Sequence, residues 1–163
     1  MDSQSPAPII VGVDGSPSSI DALREAAALG RADGIPIEAV TAWQLPLAFD
    51  EGVLANTWSP EGEAAAILNT AAEIAFPAGQ PERFTKTVVE GSPAQELIRR
   101  SAGARMLVVG SRGRGGFAGM LLGSVSAACA QHAQCPVLIM RHGSAHPSTD
   151  AETAPLTAAR AGS

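Results

Sequence analysis

Between Gly110 and Ser124 the chain reads GSRGRGGFAGMLLGS, a run whose residue types suit one kind of chemistry, the holding of a phosphate group. Glycines let main-chain N–H groups approach an anion with no side chain in the way. A helix that starts where the run ends adds N–H donors with no intrahelical partner and the positive end of the helix dipole. Ser124 brings a hydroxyl to the same point, and Ser126 a second. The run follows the apolar stretch Met106 to Val109 and opens into the helix-like segment Val125 to His132, so a strand feeds a glycine loop that feeds a helix.

The elements that must position this loop follow from apolar spacing. Ile9 to Val13 is a continuous apolar run of the kind found in strands covered on both faces. Ser16 and Pro17 then supply a cap and a first helical residue, and Ile20, Leu23 and Ala27 recur at helical spacing up to Gly30. Ile37 to Trp43 reads as a second strand. Glu61 to Phe76 has the Ala65, Leu68, Ala72, Phe76 spacing of a helix packed by one face. Phe84 to Val89 is a third strand, and Ser92 with Pro93 caps a short helix that ends near Ala102 and Gly103. Met106 to Val109 and Val137 to Met140 are the fourth and fifth strands. Five strands with helical crossovers predict a parallel sheet with helices on both faces. Gln44 to Pro60 is long for a connection and rich in apolar residues, which leaves a cover over a sheet edge and a lid as its two readings.

Composition excludes several function classes. The 163 residues fit one domain, 45% of them hydrophobic and 17% charged, and no apolar run approaches the roughly 20 residues of a membrane span. The N-terminus lacks the layout of a signal peptide, so a cytoplasmic location is expected. A net charge of −5 argues against a nucleic-acid partner, which demands a basic patch. Arg112 and Arg114 stand inside the glycine loop, where phosphate contact and simple solvation are both open readings. Cys129 and Cys135 make no metal or redox motif and read as buried thiols. The loop has no G-x-x-x-x-G-K-[ST] pattern, and Lys86 is the only lysine.

Gly110, Gly113, Gly123 and Ser124 stand at the fixed points of a G-x2-G-x9-G-S spacing. With that spacing the chain resembles the universal stress protein family, in its single-domain ATP-binding type. The start Ile9-Ile10-Val11-Gly12-Val13-Asp14-Gly15-Ser16 resembles the family's first strand and its Asp-containing loop, and His132 to Arg141 resembles its last strand. The likeness covers residues 7 to 142, with 1 to 6 expected as a flexible N-terminus and 143 to 163 as a disordered tail.

The resemblance implies an α/β three-layer sandwich, Rossmann-like and of the adenine nucleotide alpha hydrolase-like kind, with a five-stranded parallel sheet in the order 3-2-1-4-5. Ligands in such sheets bind where the strand order reverses, here between the first and fourth strands. It places Gly12, Val13, Asp14, Ala42, Gly110, Arg112, Gly113, Gly123, Ser124, Val125 and Ser126 at ATP, with Asp14 helping to hold Mg2+ or bonding the ribose. Gly110 and Gly113 are expected to turn the loop around the phosphates. Main-chain groups near Ala42, or Thr41 if the register slips by one, are expected at the adenine. Asp14 has a structural alternative, capping the first helix. No catalytic residue is identified, so slow or no turnover is expected.

The function implied is a nucleotide-dependent stress-response signalling or regulatory module. The alternatives are a slow ATPase or self-phosphorylating enzyme, a cyclic AMP-binding module, and a nucleotide-free dimeric adaptor. The apolar run Val137 to Met140 forms a sheet edge under the implied order, and with the resemblance it predicts a homodimer joined there.

Overall fold

The first four strands each lead into a helix and the fifth closes the chain order: β1 (Ile9–Gly12), α1 (Pro17–Arg31), β2 (Ile37–Trp43), α2 (Pro60–Ala75), β3 (Phe84–Glu90), α3 (Pro93–Ser101), β4 (Met106–Gly110), α4 (Ser124–His132) and β5 (Val137–Met140). The computed structural model describes residues 5–45, 58–115, 119 and 121–143. The lid or cover expected over Gln44 to Pro60, the N-terminus and the tail therefore lie largely outside the described residues. Every strand pairing is parallel, and the sheet order is β3-β2-β1-β4-β5.

Side chains alternate across a strand, and here both faces are apolar because both are covered. Ile9 and Val11 of β1 pack with Leu23 and Ala26 of α1 and with Leu68 and Ala71 of α2. Ile10, between them in sequence, turns the other way, into a cluster with Leu97 of α3, Leu107 and Val109 of β4, and Cys129 of α4. Full burial of one such aliphatic side chain stabilises by about 1.5–3 kcal/mol. That two-sided burial makes β1 the central strand, and Val11 is 0% exposed.

The predicted boundaries differ from the observed ones by a residue or so, where fraying and caps decide the end. β1 stops at Gly12 rather than Val13, although the Val13 N–H still donates to Val40 O at 2.9 Å. α2 starts at Pro60 because the Ser59 hydroxyl accepts the Gly62 N–H at 3.1 Å. Ser92 occupies the N-cap position of α3 without a side-chain cap bond, and α4 begins at Ser124, with Gly123 as its cap. Among the described residues no helix is long and apolar enough to cross a membrane.

Candidate functional site

β1 pairs with β2 on one side and with β4 on the other, so the loops leaving β1 and β4 diverge from adjacent strand ends. Between them lies a cavity of about 470 Å³, within the range of small-ligand sites, ~300–1,000 Å³. Gly12, Val13, Asp14, Ala42, Gly110, Arg112, Gly113, Gly123, Ser124, Val125 and Ser126 all line it. Residues over a hundred positions apart in sequence are brought together because the crossovers through α1 and α4 start at the same end of the sheet.

The glycines of the loop have different reasons to be glycine. A Cβ on Gly110 would sit 2.9 Å from Ser18 C and from Ser19 N, which are main-chain atoms of α1. Gly110 therefore lets α1 close on β4, a packing role beside the phosphate turn expected of it. A Cβ on Gly113 would meet only Asp14 Oδ2, at 2.8 Å, a carboxylate that can swing aside. One on Gly123 would find nothing nearer than 3.5 Å. The packing of the protein itself thus leaves Gly123 room for a side chain, and its bareness opens the helix end to the cavity.

That helix end is unsatisfied. The Ala127 N–H makes the first bond of α4, to Gly123 O at 3.0 Å. The N–H groups of Ser124, Val125 and Ser126 have no acceptor among the described residues, and no side chain caps the helix. The three donors face an anion-sized space with the positive end of the dipole behind them. Ser124 is exposed at the first helical position. Ser126 is not the open donor expected from sequence: it is 2% exposed, and its hydroxyl points back to Ser111 O at 3.1 Å and Gly123 O at 3.0 Å, bracing the loop.

Asp14 does two things. Its Oδ1 accepts the Ser16 N–H at 2.9 Å, which fixes the turn into α1, while Oδ2 lies on the Gly113 side. Among the described residues no group of three or more His, Cys, Asp or Glu gathers to hold a metal ion. A Mg2+ ion is compatible with Asp14 only as one ligand beside phosphate oxygens and water, the usual manner of Mg2+ in nucleotide sites. Arg114 reaches over the β1–α1 turn: its Nη2 lies 3.0 Å from where a Cβ of Gly15 would be, as does Ile67 Cγ2 of α2. Gly15 also has φ of +80°, so a side chain there would be both strained and crowded. Arg112 is exposed on the cavity rim, and its carbonyl accepts the Ser18 hydroxyl at 2.9 Å.

The far end of the cavity is aromatic, which spacing did not announce. Both tryptophans of the chain, Trp43 and Trp58, line it, together with Glu63, Ala64 and Ile67 of α2 and Pro93 and Leu97 of α3. The Trp58 Nε1–H donates to Glu63 Oε2 at 2.9 Å. Thr41 is buried, and its hydroxyl is spent on Val13 O at 2.9 Å, tying β2 to the end of β1; Val40, Thr41, Ala42 and Trp43 of β2 all line the wall. The α2 wall was hidden because only the packing of α2 on the sheet brings it to the cavity; the helical spacing of Ala64 and Ile67 was the available signal.

Cys129 is buried and Cys135 partly so, both in the cluster beneath α3 and α4. Burial, with the neighbouring Cys135 adding to it, pushes the Cys129 thiol up to about 11, and burial raises Cys135 as well. Neither is a poised nucleophile, because the thiolate is the reactive form.

The universal stress protein family model matches residues 7–141. A universal stress protein of Mycobacterium tuberculosis (strain ATCC 25618 / H37Rv) is 39% identical over 144 residues, covering 83% of this chain and 45% of that protein. The chain thus spans about half the length of the curated relatives it matches. Among solved structures, a universal stress protein in complex with cAMP is 29% identical with a TM-score of 0.62, over 85% of this chain and 99% of that one. An Arabidopsis thaliana universal stress protein family protein with AMP bound is 21% identical with a TM-score of 0.60, over 85% of this chain and 94% of that one, and supports the fold. With its strand order, its glycine loop and these likenesses, the chain belongs to the universal stress protein family.

Proposed function

We propose that the cavity binds an adenine nucleotide and that its occupancy is the signal of a stress-response regulatory module. The carrying observation is the open N-terminus of α4, whose Ser124, Val125 and Ser126 N–H groups have no acceptor among the described residues and border the cavity opposite Gly113. In this reading the phosphates lie against that helix end and the base lies between Ala42 and the tryptophans. Gly12 and Val13 pass beneath the ribose, and Asp14 meets the sugar or a phosphate-borne Mg2+. ATP with Mg2+ is the first reading. Cyclic AMP is the second, favoured by the relative that holds it and by a lining in which Arg112 is accompanied by the carboxylates of Asp14 and Glu63. A cytoplasmic homodimer joined along β5 completes the proposal, since among the described residues β5 pairs only with β4 and carries Val137, Leu138, Ile139 and Met140 partly exposed.

The test is titration of the chain with ATP, ADP and cyclic AMP, each with and without Mg2+, beside mass spectrometry of whatever nucleotide copurifies. Saturable binding of one of them is expected, and at about a hundred times its Kd the ligand would stabilise the fold by about 2.7 kcal/mol. Absence of binding by all three would overturn the reading. Gly113→Val should keep the fold and lose the ligand-induced rise in Tm, and a rise that survives in this variant counts against the phosphate position.

A further inference from the structure

On its outer side the glycine loop walls a second cavity, of about 370 Å³, whose lining includes Ser16, Ser18, Ser111, Arg112, Arg141 and His142. We infer that this cavity is a separate anion site for a phosphate-sized dianion. Its lining differs from that of the first: among the described residues no carboxylate lines it, whereas Asp14 and Glu63 line the main cavity. Two acids stand behind the lining, each already engaged: Asp14 Oδ1 accepts the Ser16 N–H at 2.9 Å, and Asp21 lies 2.9 Å from His142 Nδ1 through Oδ2 and pairs with Arg24 at 2.8 Å through Oδ1. Arg112 and Arg141 are exposed and form no ion pair among the described residues.

An unpaired hydroxyl on a buried residue is the independent observation. Ser111 is 7% exposed and lines this cavity. Its main chain is fully used: the N–H donates to Met140 O at 2.7 Å, and the carbonyl accepts the Gly123 N–H at 2.7 Å and the Ser126 hydroxyl at 3.1 Å. Its own hydroxyl has no hydrogen bond among the described residues. No enclosed side-chain polar atom among the described residues lacks a partner, so this hydroxyl is open at the cavity and free to meet a ligand oxygen. Two guanidinium groups, which suit planar bidentate contact with phosphate, and a neutral hydroxyl make a chemically coherent set. Arg112 and Gly113 border both cavities, so opposite sides of one loop would read two anionic groups.

The site is tested on the 15N-labelled full chain by titration with inorganic phosphate at constant ionic strength, with and without saturating cyclic AMP. The expected result is a saturable shift of the Ser18 and Ser111 amides and the Arg141 side-chain N–H that persists with cyclic AMP present. Arg141→Gln should weaken phosphate about tenfold or more and leave cyclic AMP affinity unchanged. Ser111→Ala should weaken phosphate several-fold. Phosphate that moves the Ser124 to Ser126 amides instead, that fails to saturate, or that ignores Arg141→Gln overturns the site. Comparing ATP with AMP in Arg141→Gln separates the sources: loss for ATP alone makes the bound group the tail of the nucleotide, and no loss for either makes it a separate phosphate. If no nucleotide binds, the proposed function fails while the phosphate titration still decides this site.

Discussion

Two helices leave the same end of the sheet, and they begin in opposite ways. At α1 the Ser16 hydroxyl accepts the Ser19 N–H at 3.3 Å, the Ser16 carbonyl takes the Ser19 and Ile20 N–H groups at 3.1 Å, and Pro17 has no N–H to satisfy. At α4 the cap is Gly123, which has no side chain to offer, and the next three N–H groups have no acceptor among the described residues. The first N–H groups of any helix must find partners outside it. α1 finds them in its own chain for Ser19 and Ile20, with only the Ser18 N–H lacking an acceptor among the described residues; α4 leaves all three open to the cavity, where the proposed nucleotide would meet them.

The largest expected effect tests whether the loop's glycines divide in the same way. Gly110→Val drives its side chain into the backbone of α1 and should cost about 3 kcal/mol, read by denaturant unfolding without nucleotide. A variant as stable as the parent would dissolve the division between Gly110 and Gly113. Ser124→Ala should leave nucleotide-free stability unchanged and weaken the nucleotide by about 1.5–3 kcal/mol if its hydroxyl donates to an ionised phosphate. Equal affinities by calorimetry would reduce Ser124 to an ordinary first helical residue.

Since no side chain caps α4, its seat depends on packing, and Cys129 is a fully buried anchor of it. Its thiol is raised to about 11, so the folded state keeps a proton that the unfolded chain releases. Stability should then be whole below pH ~9 and fall by about 2 kcal/mol as the pH rises toward 11. Cys129→Ala should flatten that slope in urea melts taken across this range. The smallest effect is at the other helix: Ser16→Ala should lower nucleotide-free stability by about 1 kcal/mol through loss of the cap. If it matched Ser124→Ala in leaving that stability untouched, the two helix ends would not differ as described.

Much of this was legible in the residues. Ile9 to Val13 announces itself as a strand because a doubly covered strand is apolar along its length, Val137 to Met140 because it is a short unbroken apolar run, and Ser16-Pro17 announces α1 because capping is a local matter. The glycine loop was legible as a strand-to-helix connection because its residues lie in one contiguous run. Its internal division of labour was not. Gly110 and Gly113 are the same residue type three positions apart, and only the approach of α1 to β4 separates the one that must be bare for packing from the one that borders open space. Ser126 reads in sequence as a free hydroxyl and is in fact turned inward onto two carbonyls.

What the chain determined by itself is whatever depends on neighbours in sequence: the period of its strands and helices, the caps, and a glycine-rich run ending at a helix. What the tertiary structure decided is whatever depends on distance through space. It brought Trp43 and Trp58 to one cavity wall, laid Arg114 over Gly15, and set Ser111 and Arg141 at a second cavity behind the loop. The physical reason is that local structure follows from backbone sterics and short-range hydrogen bonds, which a residue and its neighbours carry with them. Burial and electrostatic environment are set by groups that only the folded sheet and its crossovers bring near.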